Sequence, residues 1–105
     1  MPTVSVSVSS PGVIHVTPDP VGVSGSNATL TFNLLSSGYS FASSNAIVVP
    51  EPASQFPNAS VTVSATQATL LDVNSDSNTY KYVVHLVRNS DNQPLSLDPA
   101  IENGK

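Results

Sequence analysis

Apolar and polar residues alternate along most of this 105-residue chain. The clearest run places Leu30, Phe32 and Leu34 between threonine and asparagine residues. A period of two is typical of a half-buried β-strand, because successive side chains point to opposite faces of a sheet. We therefore predict that these three side chains point into the core.

Similar runs are separated by clusters of Gly, Pro, Asn and Ser, and no stretch of useful length has helical periodicity. The predicted strands are 4–9, 13–17, 29–34, 46–49, 60–65, 68–73 and 79–88. A single open sheet would leave one apolar face in water, so two packed sheets are favoured. The sequence predicts one domain, residues 1–105, folded as an all-β, antiparallel immunoglobulin-like β-sandwich of about seven strands.

Two β-branched runs end in the same pattern of proline, one carboxylate and a second proline. The first is Pro18-Asp19-Pro20 and the second is Pro50-Glu51-Pro52. Proline lacks the N–H that a sheet ladder needs and favours extended geometry in the residue before it. Each motif is therefore predicted to end a strand.

The chain resembles the DP-EP family of small bacterial β-sandwich proteins. The resemblance rests on Asp19-Pro20 and Glu51-Pro52 and on the strand pattern over most of the chain. The resemblance implies a β-sandwich fold. It implies no activity, because no activity is established for that family. The role of Asp19, Pro20, Glu51 and Pro52 therefore stays open.

Two interpretations of the motif remain. The carboxylates of Asp19 and Glu51 share one rim of the sandwich and bind a cation or a polar ligand, or the motifs only end strands and protect sheet edges from aggregation. Asp98-Pro99 is a third acid–proline step and favours the second interpretation.

Charged residues make up 10% of the chain, the net charge is −4, and Lys and Arg together number three. Nucleic-acid binding takes its affinity from Lys and Arg that neutralise phosphates. We therefore expect no nucleic-acid partner and no anionic membrane partner. No segment has the ~20 apolar residues that span a bilayer.

The chain contains no cysteine, which excludes a disulfide, a thiolate metal site and a cysteine nucleophile. This favours a reducing compartment such as the cytoplasm. The first residues have neither a basic region nor a continuous apolar run, so we expect no signal peptide.

Three polar patterns are candidates for chemical sites. Asp72, Asn74 and Asp76 place oxygen ligands at alternate positions, as a calcium loop does, but the expected Gly and Glu are missing. We predict a hairpin loop and no metal. His15 and His85 each lie within a strand without a nearby second ligand, and are predicted to be structural. No nucleophile elbow or phosphate loop is complete, so we expect no catalytic residue and no cofactor.

The strand 79–88 departs from the alternation, because Val83 and Val87 flank His85 on the face opposite Tyr82 and Leu86. A strand that is apolar on both faces is either covered by the protein's own loops or part of an association surface. Homo-oligomerisation through the Val83/His85/Val87 face is thus one expectation. The sequence favours a non-catalytic structural or interaction module with an unidentified protein or glycan partner.

The alternative function is a carbohydrate- or cation-binding module. A sugar site usually needs an exposed aromatic ring as a platform, and Tyr39 and Phe41 are the only candidates.

Overall fold

The alternating runs form β-strands throughout the computed structural model, which describes residues 2–9, 12–51 and 54–104. No helix occurs within these ranges, and hence none that could cross a membrane. The strands within them are β1 Thr3–Ser9, β2 Val13–Thr17, β3 Val21–Ser24, β4 Ala28–Leu34, β5 Tyr39–Phe41, β6 Ile47–Val48, β7 Val61–Ser64, β8 Gln67–Asp72, β9 Thr79–Lys81, β10 Val83–Arg88, β11 Gln93–Leu97 and β12 Ala100–Gly104.

The first sheet contains five strands in the order β2-β1-β4-β8-β7. Its neighbours are antiparallel except for β1 and β4, which run parallel with Val4 opposite Phe32. The edge strand β7 shifts register between Thr62 and Ser64. The irregular strand therefore lies at the edge of the sheet, where such irregularities are common.

The second sheet is antiparallel, in the order β11-β10-β5, and β6 also pairs with β10. The third sheet has the order β3-β12-β9, in which β3 and β12 are parallel. Backbone and side-chain hydrogen bonds join the first sheet to the second along β7. Phe41 N donates to Ala65 O at 2.9 Å, and Thr62 Oγ1 donates to Ala42 O at 2.7 Å. The edge of β7 that has no partner strand in the first sheet is thus partly covered by the protein itself.

The all-β prediction is confirmed, but the strands are more numerous than the seven predicted. The predicted strand 79–88 is divided into β9 and β10, and β3, β5, β11 and β12 are additional. Within the described ranges there are twelve, in three sheets, and two of their pairings are parallel. One reason is the Pro18-Asp19-Pro20 segment, which separates β2 in the first sheet from β3 in the third. Its prolines offer no N–H to a ladder, so the chain leaves one sheet before it enters another.

The core confirms the register predicted for β4. Leu30 and Phe32 are fully buried and Leu34 is 5% exposed, whereas the alternating Thr29, Thr31 and Asn33 are only half-buried. Tyr82, between β9 and β10, is also fully buried. The radius of gyration is 13.1 Å, close to the ~13 Å expected of a folded domain of this length.

Candidate functional site

A buried cluster of polar side chains lies where the chain crosses from the first sheet to the third. Residues 73–78 connect β8 to β9, which belong to different sheets. Backbone hydrogen bonds fix this crossover on three sides. Val73 N donates to Gln55 O at 2.8 Å, Asn27 N donates to Val73 O at 2.9 Å, and Asn103 N donates to Asn78 O at 2.9 Å. The crossover is therefore held by distant parts of the chain.

Asp72 and Asn74 form the inner part of the cluster. Asp72 is the last residue of β8 and is fully buried, and Asn74 is 2% exposed. The Asn74 N–H donates to Asp72 Oδ1 at 2.9 Å, and Asn74 has a φ of 54°, a left-handed conformation that asparagine tolerates well. Asn74 Nδ2 donates to Gly25 O at 2.9 Å. Asp72 is thus held by a local turn, and the Asn74 side chain is held by the distant backbone carbonyl of Gly25.

Asn103 of β12 joins this part of the cluster to Asp76 and Gln55. Its Nδ2 donates to Asp76 Oδ1 at 3.0 Å and to Gln55 Oε1 at 3.3 Å. Gln55 Oε1 also accepts the Ser75 N–H at 2.7 Å, and the Tyr80 hydroxyl donates to Asp76 Oδ2. We refer to Asp72, Asn74, Asp76 and Asn103 together as the oxygen cluster.

Three side-chain oxygens of the oxygen cluster are buried without a hydrogen-bond partner. They are Asp72 Oδ2, Asn74 Oδ1 and Asn103 Oδ1. The side-chain donors of the same residues are engaged, since both asparagine Nδ2 groups donate hydrogen bonds. Buried polar atoms in native proteins normally have a partner, because an unpaired one costs free energy. The unsatisfied groups here are all acceptors.

The charges of the cluster are set by burial and by neighbouring donors. Burial raises the pKa of Asp72, an effect strengthened by the charge of Asp76 and opposed chiefly by the hydrogen bond from the Asn74 N–H. The Tyr80 hydroxyl is the largest of the effects that lower the pKa of Asp76. The two carboxylates therefore differ, with Asp76 favoured as the charged one.

The predicted hairpin loop at Asp72, Asn74 and Asp76 is wrong. The strands on either side of it, β8 and β9, do not pair with each other, because β8 pairs with β4 and β7 and β9 pairs with β12. Within residues 2–9, 12–51 and 54–104, no three His, Cys, Asp or Glu side chains come together as a metal site. The cluster instead combines two carboxylates with amide oxygens.

Asn103 and Gln55 were not predicted as site residues, although the sequence contains a signal for Asn103. Ala68 and Leu70 are buried and alternate with half-buried residues. The same alternation continues along the chain and places Asp72 and Asn74 on the buried side. In the same way Ile101 places Asn103 on the buried side of β12. A polar residue in the inward register of a strand is the pattern that identifies this cluster.

The two Pro-acid-Pro segments lie at strand ends, as predicted, since β2 ends at Thr17 and β6 ends at Val48. Asp19 is exposed, and its Oδ1 accepts the Ala100 N–H at 2.9 Å, at the start of β12. Glu51 is exposed beside a cleft that Lys81 also lines. These carboxylates have no common hydrogen-bond partner in the described part of the chain. Pro20 directly precedes β3, and Pro52 lies outside the described residues.

The two histidines occupy different environments. His15 is exposed on β2, and its Nε2 lies 2.9 Å from Ser9 Oγ on the neighbouring strand. His85 is half-buried in the middle of β10. A serine–histidine pair becomes a nucleophile when a third group orients the ring and donors stabilise the oxyanion. Among the described residues, His15 has no hydrogen bond to a carboxylate.

The second sheet has a buried face and a half-buried face. Val84 and Leu86 pack in the core, whereas Val83, His85 and Val87 alternate with them on the other side. The residues paired with these three extend that side, which we call the outer face. It comprises Val48, Val83, Ser96, His85, Ser40, Pro94 and Val87.

The outer face is neither fully covered nor flat. Val48, Val83, His85 and Val87 are half-buried, and Pro94 is exposed. A hollow of about 290 Å³ opens beside His85 and Val87, with Ala42 and Pro94 on its walls. The face carries no Asp, Glu, Lys or Arg, so it is one surface on which this negatively charged chain presents no carboxylate.

The aromatic residues proposed as a sugar platform lie in β5. Phe41 is 4% exposed and contributes to the core, and Tyr39 is half-buried. A stacking platform for a sugar needs an exposed ring face. Phe41 therefore does not provide one.

No protein-family model matches this chain, and no curated protein sequence matches it.

Proposed function

We propose that this chain is a non-catalytic β-sandwich module that works by association, and that its outer face binds a second copy of itself. The observation that carries the proposal is the half-buried, uncharged outer face around Val83, His85 and Val87. A sheet face that borders water normally alternates with polar residues. Apolar residues on both sides of β10 are typical of a strand that is covered on both sides.

A second copy fits this face better than a strongly charged partner. The chain has a net charge of −4, so two copies repel each other wherever they bring carboxylates together. The outer face avoids that cost because it contains no carboxylate. Two copies related by a two-fold axis present the same patch to each other, and the hollow beside His85 offers space for a partner side chain.

The test is the oligomeric state of matched variants, measured by sedimentation equilibrium between micromolar and millimolar concentrations. We expect wild type to dimerise and Val87→Glu to be monomeric, because the new carboxylate is buried in the interface. Val61→Glu is the matched control, since Val61 is 58% exposed on β7 and is not one of the outer-face residues. A monomeric wild type, or equal dimerisation of Val87→Glu, contradicts the proposal. Circular dichroism checks that both variants are folded.

The resemblance to the DP-EP family is compatible with this function and remains a proposal. It is supported by the location of Asp19-Pro20 and Glu51 after the ends of β2 and β6. The immunoglobulin-like arrangement of the sheets is likewise proposed. It is supported by the core cluster that Phe32 of the first sheet forms with Leu86 of the second and Ile101 of the third.

The alternative function is a ligand-binding module, and for it a cation has more support than a carbohydrate. Phe41 is buried, whereas the oxygen cluster has three acceptors without partners. A thermal-shift screen of divalent metals and polysaccharides separates the two ligand classes. A response to polysaccharides alone would reverse this ranking.

A further inference from the structure

We propose that the oxygen cluster of Asp72, Asn74, Asp76 and Asn103 is a calcium-binding site that ties the first sheet to the third. The proposal is independent of the association through the outer face. It also departs from the sequence-based prediction of no metal, because the burial of these oxygens becomes apparent only in the folded chain.

The unpaired oxygens of the cluster need an electropositive partner. Asp72 Oδ2, Asn74 Oδ1 and Asn103 Oδ1 are each buried without a hydrogen bond. Their residues are between 0% and 3% exposed, so bulk water does not solvate these atoms. Leaving three acceptors unpaired costs free energy at each one. A cation bound by these oxygens would remove that cost.

Calcium is the cation that this set of atoms suits. It takes six to eight oxygen ligands and accepts carboxylates together with amide carbonyl oxygens in irregular geometry. Mg²⁺ requires a nearly ideal octahedron and keeps several of its waters. The carboxylates of Asp72 and Asp76 supply two negative charges to balance a divalent ion. No histidine or cysteine takes part in the hydrogen bonds of the cluster, as a zinc site would need.

A water molecule or a proton is a weaker solution. One water donates two hydrogen bonds, so at least two waters are needed for the three acceptors, and they leave the carboxylate charge unbalanced. A proton on Asp72 satisfies that side chain and does nothing for the oxygens of Asn74 and Asn103. A divalent cation also balances the charge of the carboxylates.

The cluster is reachable from the surface and is placed to affect stability. Asp76 is only half-buried, and Asn78, which donates a hydrogen bond to it, is exposed, so the cluster borders solvent on this side. Asp72 ends β8 of the first sheet and Asn103 belongs to β12 of the third. An ion held between them crosslinks two sheets, and a ligand that binds only the folded state raises the melting temperature.

The experiment measures melting temperature after treatment with a chelator, with and without CaCl₂, against MgCl₂ and NaCl at equal ionic strength. At ten times the dissociation constant we expect Ca²⁺ to raise the melting temperature by about 5–10 °C. Mg²⁺ should have a smaller effect and Na⁺ none. No response to millimolar Ca²⁺, or an equal response to all three salts, overturns the proposal.

Two carboxamide variants and one control locate the site. We expect Asp72→Asn and Asp76→Asn to lose the Ca²⁺ response, whereas Asp98→Asn keeps it. Asp98 is an exposed aspartate whose side chain makes no hydrogen bond within the described residues, so Asp98→Asn removes the same charge elsewhere. Retention of the full response in Asp72→Asn and Asp76→Asn means that Ca²⁺ binds elsewhere and contradicts the assignment.

Terbium luminescence gives a readout that does not depend on stability. Tb³⁺ replaces Ca²⁺ in oxygen sites and emits when a nearby tyrosine is excited, and the Tyr80 hydroxyl contacts Asp76 directly. We expect sensitised emission that Ca²⁺ competes away in wild type and in Asp98→Asn, but not in Asp76→Asn. Absence of emission that Ca²⁺ displaces from wild type would argue against the site.

Discussion

Phe32 and Tyr82 pack against each other with their ring centroids 5.6 Å apart and their planes tilted by 58°. Phe32 lies in β4 of the first sheet, and Tyr82 joins β9 of the third sheet to β10 of the second. Both side chains are fully buried. This single contact therefore connects segments of all three sheets, and tilted aromatic pairs contribute about 0.5–1.5 kcal/mol beyond the burial of their area.

Truncation of Phe32 is expected to be among the most damaging single changes. Phe32→Ala removes the contact with Tyr82 and leaves a cavity, so the free energy of unfolding should fall by about 3–5 kcal/mol. Leu35→Ala is the control, because Leu35 follows β4 directly but is 68% exposed, and should change stability by less than about 0.5 kcal/mol. Urea unfolding measures both. A loss below about 1 kcal/mol in Phe32→Ala would mean that the register of β4 is wrong.

Removal of the Tyr82 hydroxyl is expected to leave stability unchanged at neutral pH or to raise it by up to about 1 kcal/mol. The hydroxyl oxygen is buried without a partner, so Tyr82→Phe keeps the ring and discards an unpaired polar group. Urea unfolding at pH 7 tests this prediction. A loss of more than about 1 kcal/mol would show that the hydroxyl has a partner.

Alkaline pH should increase the difference in stability between wild type and Tyr82→Phe. Burial, with a contribution from the charge of Asp19, raises the pKa of Tyr82 well above its usual value. Above pH ~10 the unfolded chain loses this proton while the folded chain keeps it, so stability falls as pH rises. The decline between pH 9 and 11 should be smaller in Tyr82→Phe. Equal declines in both proteins would contradict a raised pKa at this position.

The sequence predicts the strand-forming segments well and their partners poorly. The alternation around Phe32 fixes which side chains are inward, because the side-chain period of a strand is two. It does not reveal that β1 lies parallel to β4, or that β3 lies parallel to β12. Those pairings depend on where distant segments meet, which a local pattern does not encode.

The oxygen cluster illustrates the same limit at the level of the site. The spacing of Asp72, Asn74 and Asp76 is visible in the sequence, where it is typical of an ordinary polar loop. Asn103, which completes the cluster, lies 27 residues beyond Asp76. The parallel pairing of β12 with β3 and the crossover from β8 bring them together. What the sequence did contain was the inward register of Asp72, a polar residue continuing an apolar series.

Gln55 is expected to contribute more to the free energy of unfolding than an exposed glutamine does, because it holds the crossover between β8 and β9. It is 5% exposed, its Oε1 accepts the Ser75 N–H at 2.7 Å, and its Nε2 donates to Ser75 Oγ at 2.8 Å. Gln55→Ala leaves the Ser75 N–H without this partner and should cost about 1–3 kcal/mol. Gln93→Ala, at an exposed position of β11, should change little. Equal effects of the two substitutions, measured by thermal unfolding, would contradict this role.

Joint replacement of Asp19 by Asn and Glu51 by Gln should change the free energy of unfolding by less than about 1 kcal/mol. Asparagine keeps the side-chain oxygen that accepts the Ala100 N–H, and Glu51 is exposed. Asp19→Ala removes that acceptor and should cost about 0.5–1.5 kcal/mol, which distinguishes loss of the hydrogen bond from loss of the charge. Glu51→Ala is the comparison at the other motif and should have almost no effect. If the Asn/Gln double variant instead unfolds with a loss well above 1 kcal/mol, measured by urea denaturation, the charges of the two motifs matter for more than ending strands.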